Sequence, residues 1–361
     1  MSILQSFKSV RVLPVFVFTA ITIFSLSASA FSNPPGIGNT IEEIEKLAMK
    51  EGKVMFASAP KIGDARTVLE GWYKKYPQIK VEYTQIMASR VGEKMFTEAL
   101  SGVVEYDLVK ITWEYHKRFI DAGLLAGPLD LERIFPAIPK EHFSSNGYFA
   151  GSSHAPRVIA YNTALVPPER VPRTWEDCLD PYWKGKIATD VRPTTLVFLS
   201  KEWGEKRVLE FAEKLKEQNP IWRSGLSQAI AMLAAGDFPL IFGSSYAPIV
   251  SLLIKDPQAK VRAAFPNVAP AYLNDTHAIF KGAKNPNAAF LLQAWLASGE
   301  GNMYLDKVGR GSPFIEGTSS WKAYKEAGSK AISVPGWDLV DWGPELQKKI
   351  VSVLGFPTAT K

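Results

Sequence analysis

Cysteine is nearly absent: Cys178 is the only one in 361 residues. A lone thiol excludes an intramolecular disulfide, and Cys178 reads as a small buried apolar residue. Histidine is almost as scarce. His116, His142, His154 and His277 have no metal-ligand spacing. His116 reads as part of a surface helix and His142 as part of a loop, both in water. There is no His-Glu-x-x-His helix, no Gly-x-Ser-x-Gly elbow and no phosphate loop, and Gly36-Ile37-Gly38 is too short a fragment for a dinucleotide fingerprint. These absences argue against an enzyme. No cluster of basic residues stands out either. The net charge of +6 drops to +4 once Lys8 and Arg11 of the first thirty residues are set aside. That balance permits an anionic ligand and gives no support to nucleic-acid binding. No internal repeat or low-complexity segment interrupts the chain.

What is present begins with an address. Lys8 and Arg11 precede an apolar run from Leu13 to Leu26, and Ala28-Ser29-Ala30 is a small-residue cleavage site. Residues 1–30 therefore read as a secretory signal peptide cut after Ala30, its apolar core too short to span a bilayer comfortably. No cysteine follows the cut to carry a lipid, so the expected location is the periplasm, as a soluble monomer. The remaining chain is long enough for two domains.

Strands then alternate with helices. Thr40 to Glu51 is a helix with Ile41, Ile44, Leu47 and Ala48 on one face, and Val54 to Ala57 is a buried strand. Asp64 caps the next helix, which carries Val68, Leu69, Trp72 and Tyr73. Ile79, Val81 and Tyr83 alternate as a strand, Val91 to Leu100 is helical, and Leu108 to Ile111 is a strand followed by Thr112-Trp113-Glu114. This α/β alternation implies a parallel, doubly wound sheet. Gly151 to Pro156 marks a change of direction into a second sheet starting at Arg157. Thr174 with Asp177 forms a capping-box-like pair, and Glu205 to Glu217 is a long amphipathic helix. Pro266 to Pro270 marks a second crossing, Thr276 to Phe280 and the helix 287–297 return to the first sheet, and two more helical patterns lie near 321–327 and 346–353.

The stretch Ser224 to Tyr246 organises the functional reading. Ile230, Leu233 and Ala234 give a short helix one apolar face, Ser227 can cap its start, and Gly236 suits the left-handed position after its end. Phe238 to Phe242 reads as a buried strand that enters the loop Gly243 to Tyr246. The helix start and the strand's far end then meet on one rim, the edge where open α/β sheets place ligands. Free N–H groups at the helix start favour a negative ligand there. The serines read equally well as a plain cap and turn.

Six stretches, in order, resemble the periplasmic solute-binding proteins of ABC importers, extracellular solute-binding protein family 1. They are Glu51-Gly52-Lys53-Val54, Tyr76-Pro77-Gln78-Ile79-Lys80-Val81, Val158 to Thr163, Thr174 to Ile187, Ala234 to Leu240, and Lys281 to Ala289. The likeness is strongest to the branch of ferric-iron, polyamine and 2-aminoethylphosphonate binders. It implies an α/β, two-lobe periplasmic-binding-protein fold of type II, each lobe a sheet flanked by helices, with the ligand in the cleft between. Lobe 1 is expected over residues 31–152 plus 273–312 and lobe 2 over 156–268 plus 315–361, with crossings near 151–156 and 266–274. It also implies hinge closure on the ligand and docking on an inner-membrane permease, with no cofactor.

For the ligand the resemblance puts ferric iron first, as cargo. In ferric-binding relatives a tyrosine pair follows the strand after Gly236-Asp237. Here Tyr246 matches one member, Ala247 stands in the second place, and Tyr272 is the residue that could join Tyr246, with an anion filling the remaining positions. Tyrosinate oxygens suit a hard cation that lowers the phenol's pKa from about 10. The loop Ser58 to Gly63 lacks the histidine some relatives carry. The alternative is a small organic anion, a phosphonate, carboxylate or sulfonate, met by Ser58, Thr112, Arg157, Thr194, Thr195, Ser224 and Ser227. A polyamine, using Trp113, Glu114 and Asp190, ranks third. A sensory binding protein would share the same fold, and His154 and His277, near the crossings, could reach the cleft.

Overall fold

The computed structural model describes residues 32–86 and 88–355, leaving aside the side chains of 88–91, 226 and 227. The expected signal peptide and its cut site lie outside the described residues. In the first stretch of chain α1 (Ile41–Glu51), β1 (Lys53–Ser58), α2 (Ile62–Lys75), β2 (Lys80–Gln85), α3 (Ala88–Leu100), β3 (Leu108–Lys110), α4 (Trp113–Asp121), α5 (Leu131–Ile134) and β4 (Ala150–Gly151) follow one another. The second stretch supplies β5 (His154–Asn162), β6 (Ile187–Asp190), α6 (Thr194–Glu217), β7 (Ile221–Arg223), α7 (Leu226–Ala235), β8 (Leu240–Ser245), α8 (Tyr246–Lys255), β9 (Val261–Ala264) and β10 (Val268–Leu273). Then come β11 (Thr276–Ile279), α9 (Pro286–Ala297), α10 (Gly299–Asp306), α11 (Ser319–Ala327), β12 (Lys330–Pro335) and α12 (Gly343–Leu354).

Two sheets result. The first has five strands in the order β2-β1-β3-β11-β4. The second has seven, β12-β10-β5-β8-β6-β7 with β9 against β5. Neither is purely parallel, which corrects the expected doubly wound parallel sheet. β1 runs parallel to β2 and β3, but β11 is antiparallel to β3; β6, β7 and β8 are parallel, but β5 opposes β8 and β10. The reversed strands are the ones the chain enters straight from the other sheet, without a crossover helix to restore direction.

Period-two alternation gives each sheet two apolar faces. In β8, Leu240 and Phe242 join the core under α6 and α12, while Ile241 joins the core under α7 and α8. In the first sheet Val54 and Phe56 pack against α1, α2 and α9, and Ala57 and Val109 face the core of α3 and α4. Trp72 is wholly buried there and donates its indole N–H to the Ile79 carbonyl at 3.0 Å. Burying a side chain of this size contributes roughly 1.5–3 kcal/mol only if its polar atom is satisfied.

Local chemistry sets several boundaries. Thr40 caps α1 by accepting from Glu43 N–H, and Gly52 ends it at φ 69°. Gly236 ends α7 at φ 91°, as its sequence context requires. Thr174 and Asp177 exchange reciprocal bonds, though they enclose a 3₁₀ turn instead of an α-helix. Two expected caps are corrected. Lys61, not Asp64, precedes α2, so Asp64 sits in the first turn, where its charge still favours the helix start. Gly225 precedes α7, so Ser227 falls inside the first turn; its side chain lies outside the described residues. α6 begins eleven residues before the expected Glu205, because its two halves run on across a kink at Gly204 (φ 75°, ψ 164°).

Candidate functional site

The chain passes between the sheets at Ser152-Ser153, returns at Asn274-Asp275, and passes again between α10, which packs on α2 and α9, and α11, whose Tyr324 hydroxyl donates to the Ala269 carbonyl. Two buried polar clusters tie these passages together. In one, Asp275 accepts from Lys110 Nζ (2.6 Å), Ser153 Oγ (2.6 Å) and Arg310 Nη1 (2.9 Å). Burial alone would raise the Asp275 carboxyl, but the two cations override it and hold it far below the usual carboxylate range. In the other, His142, Ser312 and His154 form a chain. His142 Nδ1 lies 2.8 Å from the Gly151 carbonyl and so carries the proton, leaving Nε2 to accept from the Ser312 hydroxyl at 3.0 Å. Ser312 Oγ then accepts from His154 Nδ1 at 2.9 Å.

All four histidines are buried, which corrects the expectation that His116 and His142 are solvated. α4 is amphipathic and turns His116 inward, where its ring stacks 3.8 Å from Phe149. Burial lowers both residues from 6.5 to about 4. His277 is lowered likewise and lies 3.1 Å from Ser58 Oγ. That contact holds Ser58, the last residue of β1, inside the first lobe.

Between the lobes runs a groove with about 1320 Å³ of empty space, part of it open to solvent. Lys61 and Asp64 after β1 line it from one side, Ser251 and Lys255 of α8 from the other, and Arg310 from the third passage. Three cations thus face one carboxylate. Lys61 and Lys255 are exposed and make no ion pair among the described residues.

On one face of the second sheet, Arg157 pairs in register with Ser245, and Tyr272 pairs with Ala155. Cross-strand partners share a face, so Arg157 and Tyr272 lie side by side. Phe198 of α6 covers both. It stacks on Tyr272 at 5.0 Å and 7°, and the Arg157 guanidinium sits 5.3 Å from its ring. Arg157 Nε is buried without a hydrogen-bond partner among the described residues, and burial lowers this guanidinium to about 10. One turn before Phe198, Thr195 donates to the Gly243 carbonyl at 3.0 Å. Gly243 has φ 73°, and a Cβ there would come 2.5 Å from Thr195 Oγ1, so the close approach needs glycine. The half-buried Thr194 shares this first helical turn.

Tyr246 faces elsewhere. Its ring meets Phe265 edge-on at 5.0 Å, in the core beneath α7 and α8, whereas Tyr272 belongs to the core beneath α6. The two phenols lie on opposite faces of the sheet and do not converge on one ion. Burial raises the pKa of both. Among the described residues no group of three or more His, Cys, Asp or Glu side chains could hold a metal. Thr112 precedes α4 without making a side-chain cap, and Ser224 is exposed beside Trp222 and Gln228, away from Arg157. The residues named for a polyamine are engaged or exposed. Trp113 packs on the core of the second lobe, Asp190 binds Arg192 through Nε and Nη2 (3.1 Å each), and Glu114 lies at the surface.

Arg310, Lys61 and Lys255 were not legible as site residues. Asp275, a charge lodged between two strands at a crossing, was the one available signal for the cluster around Arg310.

The family model for bacterial extracellular solute-binding proteins matches residues 52–303. No curated protein matches the sequence. Solved structures with the same fold include iron-bound HitA from Pseudomonas aeruginosa (16% identity, 82% of this chain and 99% of that one, TM-score 0.65). Another is the Trichodesmium protein IdiA (FutA) in complex with iron and citrate ligands (20% identity, 84% and 99%, TM-score 0.69). The ferric binding protein from Campylobacter jejuni is also similar (20% identity, 83% and 99%, TM-score 0.65).

Proposed function

The chain belongs to the bacterial extracellular solute-binding proteins, and from that premise we propose that it captures a small organic oxyanion for an ABC importer. The observation that carries this reading is Arg157, a guanidinium whose buried Nε has no partner among the described residues, set beside Tyr272 under Phe198. A buried unpaired donor is costly unless a ligand supplies its acceptor. The groove's excess of cations supports the same sign of ligand. Arginine recognises planar or tetrahedral oxyanions through paired N–H bonds, which fits a phosphonate, carboxylate or sulfonate.

The function requires no chemistry. The protein works in the periplasm as a monomer once residues 1–30 are removed. It binds solute on one lobe, closes about the three passages, and presents the closed form to an inner-membrane permease. A second reading, ferric iron held with an anion, has one observation in its favour: the similar solved proteins include iron-bound forms, one of them with citrate. It relies on Tyr246 without Tyr272.

A thermal-shift screen of phosphonates, carboxylates and sulfonates tests the first reading. At least one should raise the melting temperature, and Arg157→Met should abolish the rise while leaving the unliganded protein as stable as before. If no anion acts, and ferric citrate instead produces a saturating visible charge-transfer band that Tyr246→Phe removes, the iron reading replaces it.

A further inference from the structure

The third passage carries a cation to which neither motif nor family pattern assigns a role. Arg310 donates through Nη1 to Asp275 Oδ2 at 2.9 Å, the only hydrogen bond its guanidinium makes among the described residues. Guanidinium is a rigid fork of five donors, so most of the fork is unspent. Its side chain is a quarter exposed and borders both the interlobe groove and a smaller recess lined by Ser58, Tyr83 and His277. Asp275 does not need Arg310 for neutrality, because Lys110, only 6% exposed, already pairs with it at 2.6 Å. One carboxylate against two cations leaves the cluster a net positive charge that opens on the groove. A purely structural brace would have been complete with Lys110.

We infer that Arg310 is an anion-binding residue of the groove, taking a small phosphonate or carboxylate, and that its bond to Asp275 links ligand capture to the passages between the lobes. This rests on the oxyanion reading above. Arg310 is better suited than Lys61 or Lys255 to fix the ligand's position. Asp275 already holds its head in place, so less side-chain freedom is lost on binding than for the two unpaired lysines. The lysines, at opposite walls, draw the anion in. Asp275 in turn holds Ser153 of the first passage and itself lies in the second, so a displacement of Arg310 reaches all three.

The test is calorimetric titration of the purified protein with methylphosphonate and with citrate, using wild type, Arg310→Gln, Arg310→Lys and Arg157→Met. Wild type should bind at least one. Arg310→Gln should weaken that binding at least tenfold with an unchanged unfolding midpoint, and Arg310→Lys should weaken it less. Scattering should register compaction in liganded wild type and little in Arg310→Gln at saturation. Wild-type affinity in Arg310→Gln, with loss in Arg157→Met, overturns the role of Arg310 and leaves the oxyanion reading standing. No binding of either probe by wild type overturns both. Full compaction of saturated Arg310→Gln overturns the link to the passages. If Arg310→Gln fails to fold, Arg310→Lys decides: weakened binding in a protein of normal stability supports the inference, and unchanged binding overturns it.

Discussion

Asp275→Asn should be among the most damaging isosteric changes in the molecule. The carboxylate is 2% exposed and is the counter-charge of both Lys110 and Arg310. Removing one partner of a buried ion pair costs roughly 3–5 kcal/mol, because the remaining charge stays in a poor solvent. Two corrections lower that figure. Arg310 is partly exposed and water screens its share, and the new amide oxygen can still accept one hydrogen bond, returning about 1 kcal/mol. The expected loss is about 3 kcal/mol in urea-monitored unfolding. Adding Lys110→Met should restore part of it, since the stranded ammonium is then gone. The pH dependence supplies a second check. Asp275 is held far below its usual 3.8, so its contribution is present above 3.8 and is lost only as pH falls below that value. The penalty of Asp275→Asn should therefore be flat from pH 5 to 8. A loss under about 1 kcal/mol, or a penalty that vanishes by pH 5, would refute the reasoning.

Two further outcomes are expected. Glu51 accepts from the backbone N–H of Asn287 (3.2 Å) and of Ala288 (2.7 Å) at the start of α9. Glu51→Gln should cost about 1 kcal/mol in denaturant unfolding by removing a charged cap, and a change below about 0.3 kcal/mol would deny Glu51 that role. His116 and His277 stay neutral in the fold down to about 4 but protonate near 6.5 when unfolded. Stability should therefore be full above 6.5 and fall as pH drops toward 4, by about 2 kcal/mol for each residue at pH 5. Unfolding free energies that match at pH 7.5 and pH 5 would contradict neutral burial.

Local signals were legible where a single turn decides the outcome. Thr40 and Gly236 mark helix ends because capping and left-handed backbone depend on the residue itself. The family stretches led to the two-lobe fold for a related reason, since each lies at a strand or turn of fixed shape. His116 and His142 were misread because polarity suggested water, while the face of α4 and the passage around Ser312 decided their burial. Tyr246 and Tyr272 looked like possible partners from their positions near loops. Tyr272 lies in β10 and its pleat turns it toward the core beneath α6, whereas Tyr246 opens α8 and packs toward the core beneath α7 and α8. Arg310 was invisible for the plainest reason: it lies 35 residues from Asp275 and acquires meaning only through that contact.

The wiring of the second sheet has a consequence for its assembly. β10 pairs on one side with β5, far earlier in the chain, and on the other with β12, which starts only at Lys330. Between Leu273 and Lys330 the chain returns to the first sheet and builds β11, α9 and α10. The first sheet can therefore close while the second still has an open edge at Val268 to Leu273, a run of mostly apolar residues. An unpaired edge of this kind is a template for other chains, and non-local pairing is slow. The hazardous interval in this protein's folding is thus the wait for β12, and crowding or truncation before Lys330 should send the chain toward aggregation through β10.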